Sequence, residues 1–150
     1  MAALYSTNYT KQFVNVPSEK IPKGEQYGRV HVAYDDYTFA ADVSEDDTID
    51  FMKIPKGARI IDLHLINTAL DGGTIDVGWT ASDDGVEAAD ADGFLYAYTP
   101  SSPGSTSLAI LAGSMKKFSA EVTVRVTIKA DAVAATTADS LKIMILYVVD

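Results

Sequence analysis

The side chains able to do chemistry in this sequence are few and poorly matched to one another. His31 and His64 are the only histidines, and there is no cysteine. Each imidazole lies in an alternating, strand-like run, on or near its polar side. Two imidazoles without a third ligand at a fixed spacing make a weak metal case, so both read as surface or cross-strand residues. Gly113-Ser114 lacks the second glycine of a nucleophile elbow, and no helical pattern follows it. Carboxylates are plentiful because the chain is acidic, and no pair stands out as a glycosidase acid and nucleophile. The run from Asp83 to Asp92, with Asp84, Glu87 and Asp90 between, is the best cation candidate, since calcium takes several oxygen ligands from a flexible loop. Asp90-Ala91-Asp92-Gly93 does not continue into an EF-hand, because the distal glutamate is missing, and a solvated acidic loop competes with it. Trp79 with Tyr96 and Tyr98 could form an aromatic platform for a sugar, yet Trp79 shares a strand face with Ile75 and Val77, which points it into a core. These readings leave no catalytic residue, no cofactor and no metal site to expect.

The elements that would position these residues are short strands. The stretch from Ile54 to Thr80 reads as a β-hairpin with its entry turn attached. Pro55-Lys56-Gly57 is a turn, because proline pre-sets φ and glycine supplies φ > 0. Ile61, Leu63 and Leu65 then alternate with Asp62 and His64, and Asn67 falls near the polar side, the period-two pattern of a half-buried strand. Asp71-Gly72-Gly73 is a second turn. After it, Ile75, Val77 and Trp79 point inward while Asp76, Gly78 and Thr80 point outward.

Arg29 to Tyr34 places Val30, Val32 and Tyr34 on one face, Asp35-Asp36 reads as a turn, and Tyr37 to Val43 resumes the strand. Thr48 to Lys53 is a further short strand. Ala81 to Thr106 reads as the longest irregular stretch, with a helical turn over Val86 to Ala91 and with Phe94, Leu95 and Tyr96 tucked back onto the core. Leu108 to Leu111 is a short strand. Ala120 to Ala130 alternates most cleanly, with Val122, Val124, Val126 and Ile128 inward. Leu141 to Val149 is apolar on both sides: Leu141, Ile143, Ile145 and Tyr147 on one, Met144, Leu146 and Val148 on the other. Such a strand is central and covered, or packs against another subunit. Short strands, frequent turns and almost no helix predict an all-β protein, a jelly-roll-like antiparallel β-sandwich.

Composition bounds the partners. The 150 residues, 47% hydrophobic and 22% charged, suit one globular domain. No apolar run is long enough to cross a bilayer, and the first residues lack the layout of a secretory signal. A net charge of −9 disfavours nucleic acid, whose phosphates want a basic face. That charge is uneven. Through Val30, the bases Lys11, Lys20, Lys23 and Arg29 outnumber Glu19 and Glu25 and leave +2, so the rest carries −11. Residues 1–27 have no steady period, hold scattered aromatics and are broken by Pro17 and Pro22. They read as an extended N-terminal arm on a sandwich spanning residues 28–150.

A resemblance rests on particular residues. Thr48-Ile49-Asp50-Phe51, Ile54-Pro55-Lys56-Gly57-Ala58-Arg59-Ile60-Ile61-Asp62, Asn67-Thr68-Ala69-Leu70 and Thr74-Ile75-Asp76-Val77-Gly78-Trp79, with Asp92-Gly93-Phe94-Leu95 and the closing strand, resemble a small structural protein encoded beside capsid genes of tailed bacteriophages. The resemblance covers roughly the last two-thirds of the chain. It implies a head decoration or cement protein, placed on the capsid surface of the virion and made in the host cytoplasm. The implied partners are the major capsid protein and other copies of itself, in a homo-oligomer such as a trimer. The residues then expected at interfaces are Tyr5, Tyr9, Lys11 and Phe13 of the arm and Met144, Leu146 and Val148 of the last strand. The rival reading is a carbohydrate- or receptor-binding sandwich of a tail fibre or surface protein, for which Trp79 would have to be exposed.

Overall fold

The computed structural model of the chain describes residues 6, 9–21, 28–70, 72–107, 112–129 and 139–149. Eight strands occupy the described residues: β1 (His31–Thr38), β2 (Thr48–Ile54), β3 (Ala58–Asn67), β4 (Thr74–Trp79), β5 (Asp90–Tyr98), β6 (Gly104–Ser107), β7 (Val122–Lys129) and β8 (Ser140–Val149). They form two four-stranded antiparallel sheets. The first runs β1-β8-β3-β6, the second β2-β7-β4-β5. This interleaved order, with consecutive strands often in opposite sheets, is the jelly roll that the strand pattern predicts.

Alternation builds the core. Val122, Val124, Val126 and Ile128 of β7 are buried, as expected, against Ile60, Leu63 and Leu65 of β3 and Leu141, Ile143 and Ile145 of β8 in one continuous cluster. Apolar side chains two residues apart leave each sheet on one side, and two such faces pressed together remove them from water. Three aromatic rings close one end. Trp79 meets Phe94 and Phe118 edge-on, with ring centroids 5.0 and 5.2 Å apart.

The structure corrects several readings. Residues 54–80 are not a hairpin: β3 pairs with β8 and β6, whereas β4 pairs with β7 and β5. The link between them crosses from one sheet to the other. It is anchored by the buried Leu70, whose N–H donates to Pro100 O at 2.8 Å, and by Asn67, whose amide donates to Thr68 O and Ser102 O at 2.7 and 2.9 Å. Asn67 is therefore buried rather than on the polar side. β3 also carries a bulge. Ile60 faces Tyr147 and Asp62 faces Leu146, so Ile61 is an extra residue. Both Ile60 and Leu63 can then face the core, and Ile61 is turned out, 39% exposed.

Asp35-Asp36 is not a turn. Both carboxylate residues stay in β1, opposite Ile143 and Lys142. The stretch 81–106 is less irregular than its polarity suggests, because β5 and β6 lie within it and Asp90 starts a strand where a helical turn was expected. Phe94 and Leu95 are buried as predicted, but Tyr96 is exposed. The expected strand at 108–111 lies outside the described residues. In the arm, Thr10–Val14 makes one π-helical turn, closed by Asn15 N–H to Thr10 O at 2.8 Å, so the segment is not extended throughout.

Candidate functional site

The two outer faces of the sandwich differ in chemistry. On the second sheet several outward side chains of β2 and β7 are charged and paired. Arg125 donates to both carboxylate oxygens of Asp50, at 2.5 and 2.9 Å. Lys53 meets Glu121 at 2.8 Å and Lys129 meets Asp46 at 3.5 Å. The Arg125 guanidinium holds the Asp50 carboxyl below the ordinary aspartate value. This face suits water.

The first sheet turns out a different set. Val32 and Tyr34 of β1 are 60% and 56% exposed. In the pairing register they lie opposite Leu146 and Met144 of β8, which are half-buried. Ile66 of β3 is also exposed. An apolar row thus spans β1 and β8, on a sheet whose inner face is already filled; on β3 the residues opposite Leu146 and Met144 are Asp62 and His64, and Ile66 stands opposite Lys142. Two of the expected interface residues, Met144 and Leu146, belong to the row. Val148 does not, since it is buried opposite Arg59. Val148 lies outside the core cluster, against which its neighbour Tyr147 packs, so alternation along β8 holds and Val148 is covered on the same side as Met144 and Leu146.

On the arm, the Tyr9 and Phe13 rings meet at a tilt with centroids 5.0 Å apart, one helical turn bringing them together. Phe13 is 66% and Val16 96% exposed. Lys11 lies between the two aromatics in sequence and is half-buried. Tyr5 lies outside the described residues.

The chemical candidates resolve separately. His31 and His64 do not meet: His31 stacks on Tyr147, and His64 Nε2 lies 2.9 Å from Asp62 Oδ2. His64 Nδ1 is also 3.4 Å from Ser107 Oγ. Asp62, His64 and Ser107 therefore stand in the order of an orienting acid, a base and a hydroxyl, a grouping missed in the sequence because nothing in the spacing shows that β6 pairs with β3. The contact to Ser107 is at the long limit of a hydrogen bond and lies on an open sheet face beside water, which leaves the hydroxyl weakly activated.

In the acidic stretch the carboxylates act as hydrogen-bond acceptors for the chain around them. Asp84 accepts from Ser82 Oγ at 2.7 Å and from Val86 N–H at 3.1 Å. Glu87 is buried and accepts from Ser119 N–H at 2.6 Å, with Lys116 Nζ 3.0 Å from its other oxygen. The Ser119 N–H, with help from Lys116, holds the Glu87 carboxyl below its ordinary value. Burial, and then the neighbouring Asp92, pushes Asp90 upward. Among the described residues no three His, Asp or Glu side chains gather as a metal cluster would.

Trp79 lies under an open cleft of about 380 Å³, with Glu87, Asp90, Met115 and Lys116 on its walls. It is only 4% exposed. Its Nε1–H donates to Ala88 O at 3.0 Å, Phe94 and Phe118 pack edge-on against it, and Lys116 Nζ sits 5.3 Å from its centroid. No free ring face remains for a sugar, and Tyr98 spends its hydroxyl on Asn67 Oδ1 at 2.9 Å. The aromatic platform is not assembled.

No family model matches the chain, and no curated protein matches it. Solved structures do match, among them two from phage capsids. One is the capsid of Ralstonia phage GP4, with a TM-score of 0.68 at 20% identity over 82% of this chain and 86% of that one. The other is the cyanophage Pam1 capsid asymmetric unit, with a TM-score of 0.67 at 19% identity over 91% of this chain and 96% of that one.

Proposed function

We propose that the chain is a non-enzymatic virion structural protein that decorates or cements the capsid shell of a tailed phage. The observation that carries this reading is the likeness in fold to chains from two phage capsids. In the cyanophage case it takes in 91% of this chain and 96% of that one, so the likeness runs over nearly the full length of both chains. The apolar outer face of the first sheet agrees with it, since a sandwich that works alone has little use for such a stripe. The partners are the major capsid protein and further copies of the same chain, a trimer being the simplest arrangement. Residues 1–27 act as the attaching arm and residues 28–150 as the body. Each contact is weak, but repetition over a lattice raises the effective concentration of the next contact and stabilises the shell.

The test is addition of purified protein to phage particles that lack it, followed by electron microscopy. Regular density at repeated surface positions supports the reading. Particles that stay bare, with protein found only in the supernatant, overturn it. A buried Trp79 removes the observation on which the carbohydrate-binding alternative depended.

A further inference from the structure

We infer that the apolar outer face of the first sheet is the seat for the N-terminal arm of a second copy of the chain, with Phe13 and Val16 of one copy laid on Val32, Tyr34 and Leu146 of the next. The inference rests on the virion reading only in needing many copies close together. Its grounds are physical.

Both halves of the contact are present and both are exposed in the same structure. Phe13 and Val16 are open to water, and so are Val32 and Tyr34, so within one chain neither set covers the other. The stripe is built for a narrow occupant. It follows the cross-strand row in which Val32 faces Leu146 and Tyr34 faces Met144, on the edge strand and its neighbour. A short arm with one helical turn presents side chains at that scale.

Charge selects among occupants. The chain beyond Val30 carries −11, so two bodies brought face to face repel. The segment through Val30 carries +2 and is the part of the chain with a sign that an acidic body attracts. On the second sheet Tyr96 is exposed on the edge strand β5, but the strands β2 and β7 carry ion pairs where the first sheet has the row of Val32, Leu146, Tyr34 and Met144. A second copy's arm on the first sheet therefore satisfies the apolar surface and the charge together, which a second body does not.

The cysteine-free sequence makes the test direct. Full-length copies carrying Phe13→Cys are mixed with full-length copies carrying Val32→Cys and oxidised. The expected result is a mixed disulfide in clear excess over that formed between Phe13→Cys and Glu121→Cys, which lies outside the first sheet. Equal yields for the two mixtures overturn the proposal. A chain carrying both Phe13→Cys and Val32→Cys that closes only on itself at all concentrations also overturns it, because the arm would then serve its own body. Phe13→Ser is expected to raise the dissociation constant of self-association about tenfold or more, with an unchanged melting temperature. Particle binding separates this proposal from the virion reading. If Val32→Lys decorates particles at the same copy number as the unaltered chain, arm seating fails while decoration stands. If the unaltered chain leaves particles bare, decoration fails, and the disulfide mixtures still decide the seating.

Discussion

Trp79 and Glu87 show how much two side chains can hold at one end of the sandwich. Trp79 fills the space between Phe94 and Phe118 and satisfies its one polar atom on Ala88 O. Trp79→Ala removes that volume from a core that cannot collapse around it, and is expected to cost about 3–5 kcal/mol. Thermal melting should show a fall of roughly 10 °C or more for a domain of this size. Glu87 ties two separate segments together through Ser119 N–H and Lys116. Its pKa is lowered from the ordinary 4.5. Its stabilisation is therefore complete above that value and is lost as the pH falls through the folded pKa. Asp90 has the opposite sign. Its pKa is raised from 3.8, so its contribution favours folding below that value and declines as the pH rises through the folded pKa. Urea unfolding followed from about pH 3 to pH 7 should show Glu87→Gln less stable than the parent near neutrality, with the gap closing in acid. Asp90→Asn should be more stable near neutrality, and that gap should also close in acid.

At the scale of elements, β4 and β5 pass unusually close. A Cβ on Gly78 would lie 1.9 Å from Asp90 O and 2.5 Å from the Ala91 carbonyl carbon, both backbone atoms. Gly78→Ala must push β5 aside, and is expected to cost about 1–3 kcal/mol or more. Gly104→Ala is the control: its nearest neighbour would be 3.8 Å away, and its midpoint should move by no more than about 0.5 kcal/mol. Denaturant midpoints of the two variants measure both. The same pair of strands shows where sequence reading ends. β7 was legible because Val122 to Ile128 alternate without interruption. The facing of Trp79 was legible for the same reason. The partner of β4 was not, because Asp71-Gly72-Gly73 carries the residues of a hairpin turn, and only Leu70 and Asn67, tied to Pro100 and Ser102, show that the chain crosses sheets there. The bulge at Ile61 was invisible, since an extra residue in a run of Ile60, Ile61 and Leu63 leaves no gap in hydrophobicity. β5 was hidden by its acidic start, although Phe94 and Leu95 marked it as core.

For the molecule as a whole, the two outer faces contrast: ion pairs on β2 and β7 of the second sheet, an apolar row on β1 and β8 of the first. Three of the described surface ion pairs sit on the second sheet and its flanks, where each contributes little to stability. Deleting residues 1–27 should leave circular dichroism and the melting curve of the sandwich close to those of the parent, because among the described residues none before Tyr37 packs in or against the core cluster. It should abolish self-association in sedimentation and decoration of particles. A truncated chain that sediments and binds as the parent does would show the arm to be dispensable. Met144 and Leu146 were legible as a second apolar face. Their continuation onto Val32 and Tyr34 was not, because it depends on β1 and β8 being neighbours across most of the sequence.

That neighbourhood also sets an order of events during synthesis. β8 lies between β1 and β3, so the first sheet is missing a central strand until residues 140–149 have left the ribosome. β1 waits through roughly a hundred intervening positions for the strand it pairs with. Closure is a late, long-range step, slow by the measure of sequence separation. A nascent or prematurely terminated copy that lacks β8 exposes the inner face of β3 and an unpaired β1, and is open to aggregation and proteolysis. The arm precedes the body along the chain, but the seat it would dock on does not exist until β8 is in place. On the seating proposed above, copies short of β8 have no seat to offer, a selection that strand order would impose.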